Sequence, residues 1–567
     1  MTLNEKIQWY SKNYQVISVL DLDQWYQLPE PQRRLWLLSK VRSYYQETYQ
    51  NNQRILFTLT KGDRYDSAES AGEILQNLQW CLNKVDISNF FVCFLTNESA
   101  EQINYLPSSD PIAITIDTFL DPPAPSETTT GFASGIAYEY GSNIPVKVNF
   151  DSLEEHEKFL LLKSKTFCMY PWIHLHAWPT GEAYPCCMTQ MDSSVGSFKK
   201  STIKEIWNDA PMRELRQNML SETASSGCNK CYEQEQAGFF SGRQSANKHH
   251  GHHIHKVNKT NDQGFLDDFE MVYWDVRFSN LCNLKCRSCG HIFSSQWYQD
   301  QSKLAGGDWA KKHQVLNIAG RHESDMWQQL LPHLDYVEQI YFAGGEPLLM
   351  HEHYHILEEL TKRGMFHVKL CYNTNFTHTQ LKDKSVFDYW KLFDSVSVGA
   401  SLDGAENYAE YIRKGCDWTE VEENRVNMLK ICPQVDFYIS PTLSIMNAWH
   451  LPDFHRNWVE RGFILHQDLN INILQDPPFY RIDIAGPKYK QKLKQKFEEH
   501  LEWLRPNDPL RRATTGFESA INFLMAQDNS YLQPQFWERT YQLDKIRGEN
   551  ILDIIPELAE LNESTTR

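Results

Sequence analysis

The sequence lacks any run of about 18 consecutive apolar residues, and its first residues contain no apolar core such as a signal peptide needs. We therefore expect no membrane span and no secretion, and we expect the protein to be cytoplasmic. The chain also has fewer basic residues than acidic ones, 56 Lys and Arg against 73 Asp and Glu, so its formal net charge is −17. Since an acidic surface repels phosphate backbones, a nucleic acid is not an expected partner.

A disulfide framework is missing as well. The 13 cysteines are an odd number, and most of them occur in short-spaced sets rather than spread along the chain. In a chain without a recognisable secretion signal, such sets indicate metal ligation in a reducing compartment. The length of 567 residues exceeds what one hydrophobic core serves, and the apolar fraction of 41% is ordinary, so we expect several folded domains.

Alternating strand and helix patterns dominate the middle of the chain. Strand candidates between residues 272 and 443 are each followed by a helical or loop stretch. This alternation predicts a parallel sheet with crossover helices, either open or closed into a barrel. The active sites of such sheets lie at the carboxyl ends of the strands.

These patterns divide the chain into five predicted segments. A His-rich tract at residues 249–255 could bind a metal loosely, but we interpret it as part of a solvated linker. The N-terminal segment has strand patterns at 54–60 and 90–96 and a helical pattern at 68–84. The segments are an N-terminal α/β domain of unknown role (1–150), a cysteine-rich domain (160–245), the linker (246–265), a core domain (266–480) and a helical C-terminal extension (481–567).

A cysteine triplet is the most specific motif of the core segment. Cys282, Cys286 and Cys289 are separated by three and then two residues, a spacing that is improbable by chance. Three thiolates can hold three irons of a 4Fe-4S cluster and leave the fourth iron open for a small molecule. The alternative is a zinc site in which His291 supplies the fourth ligand.

Later stretches, each at a predicted strand end, extend this pattern. Gly344-Gly345-Glu346-Pro347 follows the second strand, and a glycine pair with a carboxylate suits the close approach of an ammonium group. The other stretches are Tyr372-Asn373-Thr374-Asn375, Ser401-Leu402-Asp403-Gly404 followed by Arg413, and Thr442, Ser444 and Asn447 near the fifth strand. Together with the triplet, these stretches resemble the radical S-adenosylmethionine (SAM) superfamily, with Asn375 in place of the family's glycine.

The resemblance implies an α/β fold with a partial (β/α)6-type parallel barrel. In that family, the reduced cluster cleaves SAM to a 5′-deoxyadenosyl radical, which abstracts a hydrogen atom from the substrate. The Gly344–Pro347 turn would accept hydrogen bonds from the SAM amino group, Arg413 would pair with the SAM carboxylate, and Ser401 would contact its ribose or carboxylate end. The remaining positions that the resemblance assigns to the cofactor are Asn375, Asp403, Thr442, Ser444 and Asn447.

One position departs from the family's pattern. The residue before the third cysteine is usually aromatic and packs against adenine, whereas this chain has Ser288 there. The adenine ring must then be held by backbone or by another aromatic side chain, such as Phe293 or Trp297.

A second cysteine set lies upstream of the triplet. Four thiolates, two of them in a C-x2-C pair, suit either zinc or an iron–sulfur cluster. The stretch 181–187, the helical runs after it and the C-x2-C pair resemble a SPASM or twitch domain, which implies one auxiliary 4Fe-4S cluster, placed here before the core rather than after it. The implied ligands are Cys168, Cys186, Cys228 and Cys231, and Cys187 could substitute for Cys186.

An enzyme of this family needs a substrate and an electron donor. Because members with SPASM or twitch domains often modify peptides, we predict a peptide or protein side chain as substrate, with a sugar or another small molecule as the alternative. A flavodoxin or ferredoxin-type protein would be the reductant, and Cys416 is a weak candidate for a hydrogen-atom donor. A non-catalytic zinc or iron–sulfur scaffold or electron carrier is the competing class, but it has no use for the Gly344–Pro347 turn or Arg413.

Overall fold

The computed structural model describes residues 147–236, 240–508 and 511–562, together with four strands nearer the N-terminus. The chain divides into two compact units, Met1–Tyr140 and Gly141–Arg567. In the first unit, the described strands form a parallel sheet in chain order, and two of them lie where the sequence predicts strands. The helix expected at 68–84 lies outside the described residues. The four strands are β1 (Gln15–Asp21), β2 (Ile55–Thr60), β3 (Phe90–Leu95) and β4 (Ile114–Ile116).

The second unit contains both cysteine sets and all the motifs singled out above. Its strands are β5 (His176–Ala177), β6 (Glu182–Tyr184), β7 (Gly196–Ser197), β8 (Tyr273–Trp274), β9 (Lys285–Cys286), β10 (Gln339–Phe342), β11 (Lys369–Thr374), β12 (Gln380–Leu381), β13 (Lys384–Ser385), β14 (Val396–Ala400), β15 (Arg413–Lys414), β16 (Asp436–Ile439), β17 (Thr442–Leu443) and β18 (Asn472–Ile473).

Helices connect and cover these strands, and the last ones make up the helical C-terminal part of the chain. They are α1 (Glu155–Leu162), α2 (Tyr170–Ile173), α3 (Ile203–Trp207), α4 (Ala210–Leu220), α5 (Asn229–Gln236), α6 (Gly242–His250), α7 (Trp297–Ala305), α8 (Trp309–Lys312), α9 (Asp325–Leu330), α10 (His351–Lys362), α11 (Val386–Trp390), α12 (Glu406–Ile412), α13 (Trp418–Ile431), α14 (Leu451–Glu460), α15 (Pro487–Leu504), α16 (Arg512–Ala526), α17 (Gln533–Arg547), α18 (Ile551–Ile554) and α19 (Ala559–Asn562).

Five parallel strands form the main sheet of this unit. Their order is β8–β10–β11–β14–β16, so the strands of this sheet lie side by side in the order in which they occur along the chain. A bridge between Ile439 and Leu469 and the parallel pair β17–β18 continue the pairing beyond β16. The α/β class with a parallel sheet is therefore as the sequence predicts, and closure into a barrel stays a prediction.

The two faces of this sheet differ in polarity, because successive side chains of a strand point to opposite faces. Ile340 and Phe342 of β10 are buried on the face that the helices cover, and Phe342 stacks on Tyr372 of β11 with ring centroids 4.9 Å apart. Between them, Tyr341 and its neighbour Cys371 point the other way and are only half-buried. One face is thus a hydrophobic core, and the other borders an interior recess.

The cysteine-rich segment is joined to the edge of the main sheet. Val272 N donates to the Ile173 carbonyl at 3.0 Å, and Arg277 N donates to the Ala177 carbonyl at 3.1 Å. Ala177 of β5 also forms a parallel bridge with Val276. The segment 173–177 therefore runs beside 272–277 as an additional edge strand, so both cysteine sets lie within one compact unit.

The His-rich tract is helical rather than a solvated linker. It spans the end of α6 and a 3-10 helix at Gly251–Lys259, and Ser241 caps α6 by accepting a hydrogen bond from Gln244 N. Ile254 and Val257 are buried and hold the tract against the rest of the unit. In a solvated linker these apolar side chains would be exposed to water, which is unfavourable. The expectation that the tract is a solvated linker is therefore wrong. In the described part of the chain, every helix is too short or too polar to cross a membrane.

Candidate functional site

The cysteine triplet lies in the loop that follows the first strand of the main sheet. Cys286 belongs to β9, which pairs antiparallel with β15 through Arg413. Cys282 is buried, and Cys286 and Cys289 are half-buried. Burial raises the pKa of all three thiols, to about 12 for Cys289, and the neighbouring cysteine Cys286 raises the pKa of Cys282 and Cys289 further. A bound metal cation is what would ionise thiols in this setting.

The zinc alternative for the triplet can be compared with the positions of the metal-ligating side chains. In the described part of the chain, one group of three or more His, Cys, Asp or Glu side chains has all its ligand atoms within 4.8 Å of one another, and it contains no cysteine. A tetrahedral zinc site with Zn–S bonds of about 2.3 Å places its sulfurs about 3.8 Å apart. His291, the fourth ligand of the zinc alternative, packs its ring edge-on against Trp309, with centroids 5.1 Å apart. The choice of an iron–sulfur cluster over a single zinc ion stays a prediction for both cysteine sets.

The Gly344–Pro347 turn follows β10 and packs backbone to backbone on the triplet loop. Glu346 N donates to the Leu281 carbonyl at 2.7 Å. A Cβ on Gly345 would lie 2.1 Å from that same oxygen, so only glycine fits. Gly344 has a φ of 121°, a conformation that also favours glycine. The turn and the cysteine loop therefore form one unit, as their shared position at strand ends predicts.

The Glu346 carboxylate is fully buried beneath the turn. It accepts hydrogen bonds from Leu348 N at 3.0 Å, Thr374 Oγ1 at 2.7 Å and Asn375 N at 2.7 Å. Burial raises the pKa of Glu346 to about 7, although these three donors act in the opposite direction. The carboxylate thus ties the turn to the end of β11, and its contact with the amino group of SAM stays a prediction.

Asn375 connects the end of β11 to the triplet loop. Its Nδ2 donates to Asn283 Oδ1 at 2.8 Å and lies 4.0 Å from Cys282 Sγ. The left-handed residue of this turn is Phe376, with a φ of 59°, and such a backbone conformation is where a glycine is expected. The left-handed position of this turn is therefore Phe376, one residue after Asn375, and the correspondence of Asn375 with the family's glycine stays a prediction.

Asp403 and Arg413 form a buried, two-point ion pair. Arg413 Nε lies 2.9 Å from Asp403 Oδ2, and Nη2 donates to Oδ1 at 3.0 Å. Burial would lower the pKa of Arg413, but Asp403 and Cys286 outweigh it and raise the pKa above the usual range. Arg413 Nη1 also lies 3.6 Å from Cys286 Sγ. The guanidinium therefore stands beside a triplet sulfur, and its contact with the carboxylate of SAM stays a prediction.

The fifth-strand candidates gather around the same aspartate. Thr442 N donates to Asp403 Oδ1 at 2.8 Å, and Asn447 Nδ2 donates to the Asp403 carbonyl at 3.0 Å. Ser444 N donates to Asn447 Oδ1 at 2.7 Å. Ser401 is half-buried at the end of β14, where its backbone N donates to the Thr374 carbonyl at 2.8 Å. The structure thus brings these residues together, with Asn447 as the residue that fixes the loop.

The two aromatic candidates beside Ser288 have different surroundings. Trp297 is fully buried, and its Nε1 donates to the Cys286 carbonyl at 2.9 Å. It therefore supports the triplet loop from behind, so the expectation that Trp297 could hold adenine is wrong. Phe293 is half-buried and packs edge-on against Trp178, with centroids 5.1 Å apart. Phe293 remains the aromatic candidate for adenine.

Residues of the C-terminal helix α17 brace the triplet loop from outside. Arg547 Nη2 donates to the Lys285 carbonyl at 2.9 Å, and Arg547 Nε lies 2.8 Å from Asp300 Oδ2. Arg287, which lies between the second and third cysteines, is buried and pairs with Asp544. The sequence alone did not assign these residues a role, because the partners are about 250 residues apart in the chain.

Four cysteines of the upstream set line one small cavity. Cys168 precedes α2, Cys186 follows β6, Cys228 ends a 3-10 turn and Cys231 lies in α5. Burial raises the pKa of each of these thiols. The cavity is also lined by Tyr170, Met188, Thr189, Gly227 and Arg243.

Cys187 points away from that cavity, toward the polar face of the main sheet. Its thiol lies beside Asp275 and Arg277, and burial raises its pKa. Cys187 is exposed, although charged side chains lie near its thiol. Cys186 is therefore the doublet member that the geometry groups with the other three cysteines.

Asp275 is the buried acid of this recess. His176 Nδ1 lies 3.2 Å from Asp275 Oδ2, and Arg277 Nε lies 3.6 Å from Oδ1. Burial alone would raise the pKa of Asp275, but His176 and Arg277 outweigh it and hold the pKa below its usual range. Burial raises the pKa of Tyr341, and the neighbouring Asp275 and Cys187 raise it further, so these side chains lie near one another.

Sequence reasoning missed this recess. Asp275 and Arg277 are two residues apart, and Tyr341 and Tyr438 lie in strands whose neighbouring residues are apolar. Polar residues at every second position of a parallel strand are unusual, since both faces of such sheets are normally covered by apolar groups. That pattern was the available signal. Cys416, the weak hydrogen-donor candidate, lies instead beside Arg413, and burial raises its pKa to about 12.

Comparison with known families identifies the upstream region. Residues 168–232 match the SPASM model, which describes an iron-sulfur cluster-binding domain. The match covers the four cysteines of the small cavity, and it confirms the SPASM resemblance of this region. A comparison with curated proteins gave no match.

Three of the solved structures that match this chain all have TM-scores below 0.5. Polyhistidine-tagged anSMEcpe with bound AdoMet has 20% sequence identity, with 42% of this chain and 59% of that chain aligned at a TM-score of 0.30. Native anSMEcpe with bound AdoMet and Cp18Cys peptide has 19% identity, with 41% and 60% aligned at a TM-score of 0.26. TYW1 with a lysine-pyruvate adduct bound has 15% identity, with 42% and 71% aligned at 0.21. The alignments thus span about three fifths of the anSMEcpe chains.

Proposed function

We propose that this protein is a radical SAM enzyme in which Cys282, Cys286 and Cys289 hold a 4Fe-4S cluster. The observation that carries the proposal is the contact of the Gly344–Pro347 turn with the triplet loop, where Gly345 leaves no room for a Cβ against Leu281. A scaffold or an electron carrier does not need such a turn beside three thiols at the end of a parallel sheet. When bound, the cluster and SAM together supply a 5′-deoxyadenosyl radical that takes a hydrogen atom from the substrate.

We further propose that Cys168, Cys186, Cys228 and Cys231 hold an auxiliary 4Fe-4S cluster, in a domain that precedes the core. The SPASM match and the cavity that these four residues line support this assignment. Tyr170 supports a link between the two regions. It lines the cavity, and its pKa is raised by burial and further by Cys187 and Asp275 of the recess.

The substrate that we propose is a peptide or protein side chain, bound in the recess on the polar face of the main sheet. The recess offers a guanidinium at Arg277, a carboxyl at Asp275 and phenols at Tyr341 and Tyr438. This mixture of charges and hydrogen-bonding groups suits the alternating amides and side chains of a peptide. The electron would come from a flavodoxin or ferredoxin-type protein.

Anaerobic purification and reconstitution with iron and sulfide test both clusters. We expect about eight irons per chain, since each 4Fe-4S cluster contains four, and 5′-deoxyadenosine when dithionite and SAM are added. Cys286→Ala should abolish formation of 5′-deoxyadenosine. Cys186→Ala should lower the iron content by about four per chain, whereas the matched variant Cys187→Ala should retain all of it, because Cys187 faces the recess.

The two halves of the proposal fail in different ways. A colourless, zinc-loaded protein that forms no 5′-deoxyadenosine after reconstitution would refute the radical SAM assignment. Equal iron loss in Cys186→Ala and Cys187→Ala would refute the auxiliary ligand set. Incubation with peptide pools and with sugar pools under turnover, followed by mass spectrometry, distinguishes the peptide substrate from the small-molecule alternative.

A further inference from the structure

A group of three metal-ligating side chains lies outside both cysteine sites. His252 Nε2 is 2.8 Å from Glu338 Oε2, and His253 Nε2 is 3.0 Å from Glu338 Oε1. The three ligand atoms all lie within 4.8 Å of one another. The side chains are 18%, 14% and 32% exposed, respectively, so the group is partly shielded and still open to solvent.

The local fold sets this convergence. The two histidines are neighbours in the 3-10 helix Gly251–Lys259, where adjacent side chains ordinarily diverge. Here their rings are only 4.1 Å apart between centroids, and both reach the same carboxylate. Burial of Ile254 and Val257 in the same helix fixes its orientation on the unit. The ligand group therefore depends on a packed segment rather than on a loose tract.

We propose that His252, His253 and Glu338 form a Zn²⁺ site. Two imidazole nitrogens and one carboxylate are the protein ligands of many zinc sites that keep a fourth position for water. With Zn–N and Zn–O bonds of about 2.0–2.2 Å in a tetrahedron, ligand atoms lie about 3.3 Å apart. One carboxylate oxygen, Glu338 Oε1, lies 3.1 Å from His252 Nε2 and 3.0 Å from His253 Nε2, and these separations need to open by only a few tenths of an ångström to admit the ion.

The position of the site makes its role distinct from the proposed radical chemistry. Glu338 immediately precedes β10, whereas the Gly344–Pro347 turn follows the opposite end of that strand. Six residues of extended chain span about 20 Å, so the ion would lie far from the triplet loop. It would pin the helix that follows the SPASM-matching segment to the amino end of the main sheet.

One cation competes with the proposed ion. Lys147 Nζ lies 3.6 Å from Glu338 Oε2, and its side chain is 61% exposed. Because an exposed ion pair contributes little and its lysine can turn into water, Zn²⁺ would displace it at small cost. Removing this lysine should therefore strengthen Zn²⁺ binding. A variant that failed to fold would weaken binding instead, so the two outcomes are distinguishable.

Equilibrium dialysis of the cluster-loaded full chain against Zn²⁺ alone, without oxygen, tests the proposal. The wild type should bind one Zn²⁺ at this site, and crystals soaked in Zn²⁺ should show an anomalous peak between His252, His253 and Glu338. His253→Asn and Glu338→Gln should weaken binding by more than about 100-fold, since losing even an outer-shell partner costs roughly 10–100-fold. Lys147→Ala should bind more tightly than the wild type.

His255→Asn is the matched control, because His255 belongs to the same tract but is exposed and lies outside the ligand group. It should bind Zn²⁺ as the wild type does. Equal affinity in the wild type, His253→Asn and Glu338→Gln, or an anomalous peak at other residues only, would overturn the proposal. Formation of 5′-deoxyadenosine should stay unchanged in Glu338→Gln, so a failure here is distinguishable from a failure of the radical SAM assignment.

Discussion

Arg413 and Asp403 hold each other through two contacts of 2.9 Å and 3.0 Å, with the guanidinium 3.6 Å from Cys286 Sγ. The Asp403 carboxylate also accepts a hydrogen bond from Thr442 N, and the Asp403 backbone carbonyl accepts one from Asn447 Nδ2, so this one residue connects the segments that follow β14 and β16 beside a triplet sulfur. Arg413 thus supplies positive charge beside the Cys286 sulfur, and Asp403 fixes the position of Arg413. Both residues are therefore needed to place the guanidinium beside the triplet.

Replacing Asp403 by Asn removes one partner of this pair and leaves the Arg413 charge buried. We expect Asp403→Asn to lower the free energy of unfolding by roughly 3–5 kcal/mol, because an uncompensated buried charge is costly. Urea denaturation of the protein before cluster insertion measures the loss. Asp453→Asn is the control, since the Asp453 side chain is 64% exposed in its pair with Lys496 and should cost less than about 1 kcal/mol. Equal losses in the two variants would contradict the prediction.

Replacing Gly345 by Ala tests the backbone contact that carries the functional proposal. The new Cβ would lie 2.1 Å from the Leu281 carbonyl oxygen, so the turn and the triplet loop must separate. We expect loss of the triplet cluster's iron and of 5′-deoxyadenosine formation, with the auxiliary iron retained. Gly364→Ala is the control: it also has a positive φ, 67°, but open space around it, so it should cost about 1–2 kcal/mol of stability and no iron.

The sequence predicted the parts of the fold that depend on local pattern. Strand–helix alternation predicted the parallel sheet, and the motifs at 344–347 and 401–404 lie at strand ends as expected. The short spacings between cysteines predicted two separate thiolate sites, because ligands only two or three residues apart can reach one metal centre without help from the rest of the fold. Nothing local, however, revealed that Arg547 reaches Lys285 across more than 250 residues.

Two kinds of site feature lay beyond sequence reasoning for a physical reason. The doublet Cys186–Cys187 offers two similar thiols, and only the direction of the chain after β6 separates the one in the cavity from the one in the recess. The His-rich tract has the composition of a solvated segment, and only its buried Ile254 and Val257 show that it packs. Both outcomes depend on tertiary contacts that composition does not encode.

Glu346 should make stability depend on pH in a defined direction. Its pKa is about 7 in the folded protein because of burial, against 4.5 as its ordinary value. Between these values the folded state holds a proton that the unfolded state has lost, so stability falls as pH rises from 4.5 through 7. A shift of this size corresponds to about 3 kcal/mol.

Urea denaturation at several pH values compares the wild type with Glu346→Gln, which cannot titrate. The wild type should lose about 3 kcal/mol relative to the variant between pH 4.5 and pH 8. If the variant does not fold, infrared spectroscopy of the wild type gives the same information, because a carboxylic acid band should disappear between pH 6 and pH 8. Parallel stability curves, or no band in that interval, would refute a raised pKa at Glu346.

Arg547 is the C-terminal residue on which the triplet loop depends most directly. Its guanidinium lies 4.9 Å from the centre of the Trp297 ring, contacts Asp300 and donates to the Lys285 carbonyl next to Cys286. Arg547→Gln should therefore loosen the loop and hasten loss of the triplet iron to a chelator, while iron held by Cys168 and its partners stays. Lys545→Gln, on the exposed side of the same helix, should release iron at the wild-type rate. The measurement is the rate of absorbance decay with a ferrous chelator, and identical rates for the two variants would show that α17 does not brace the loop.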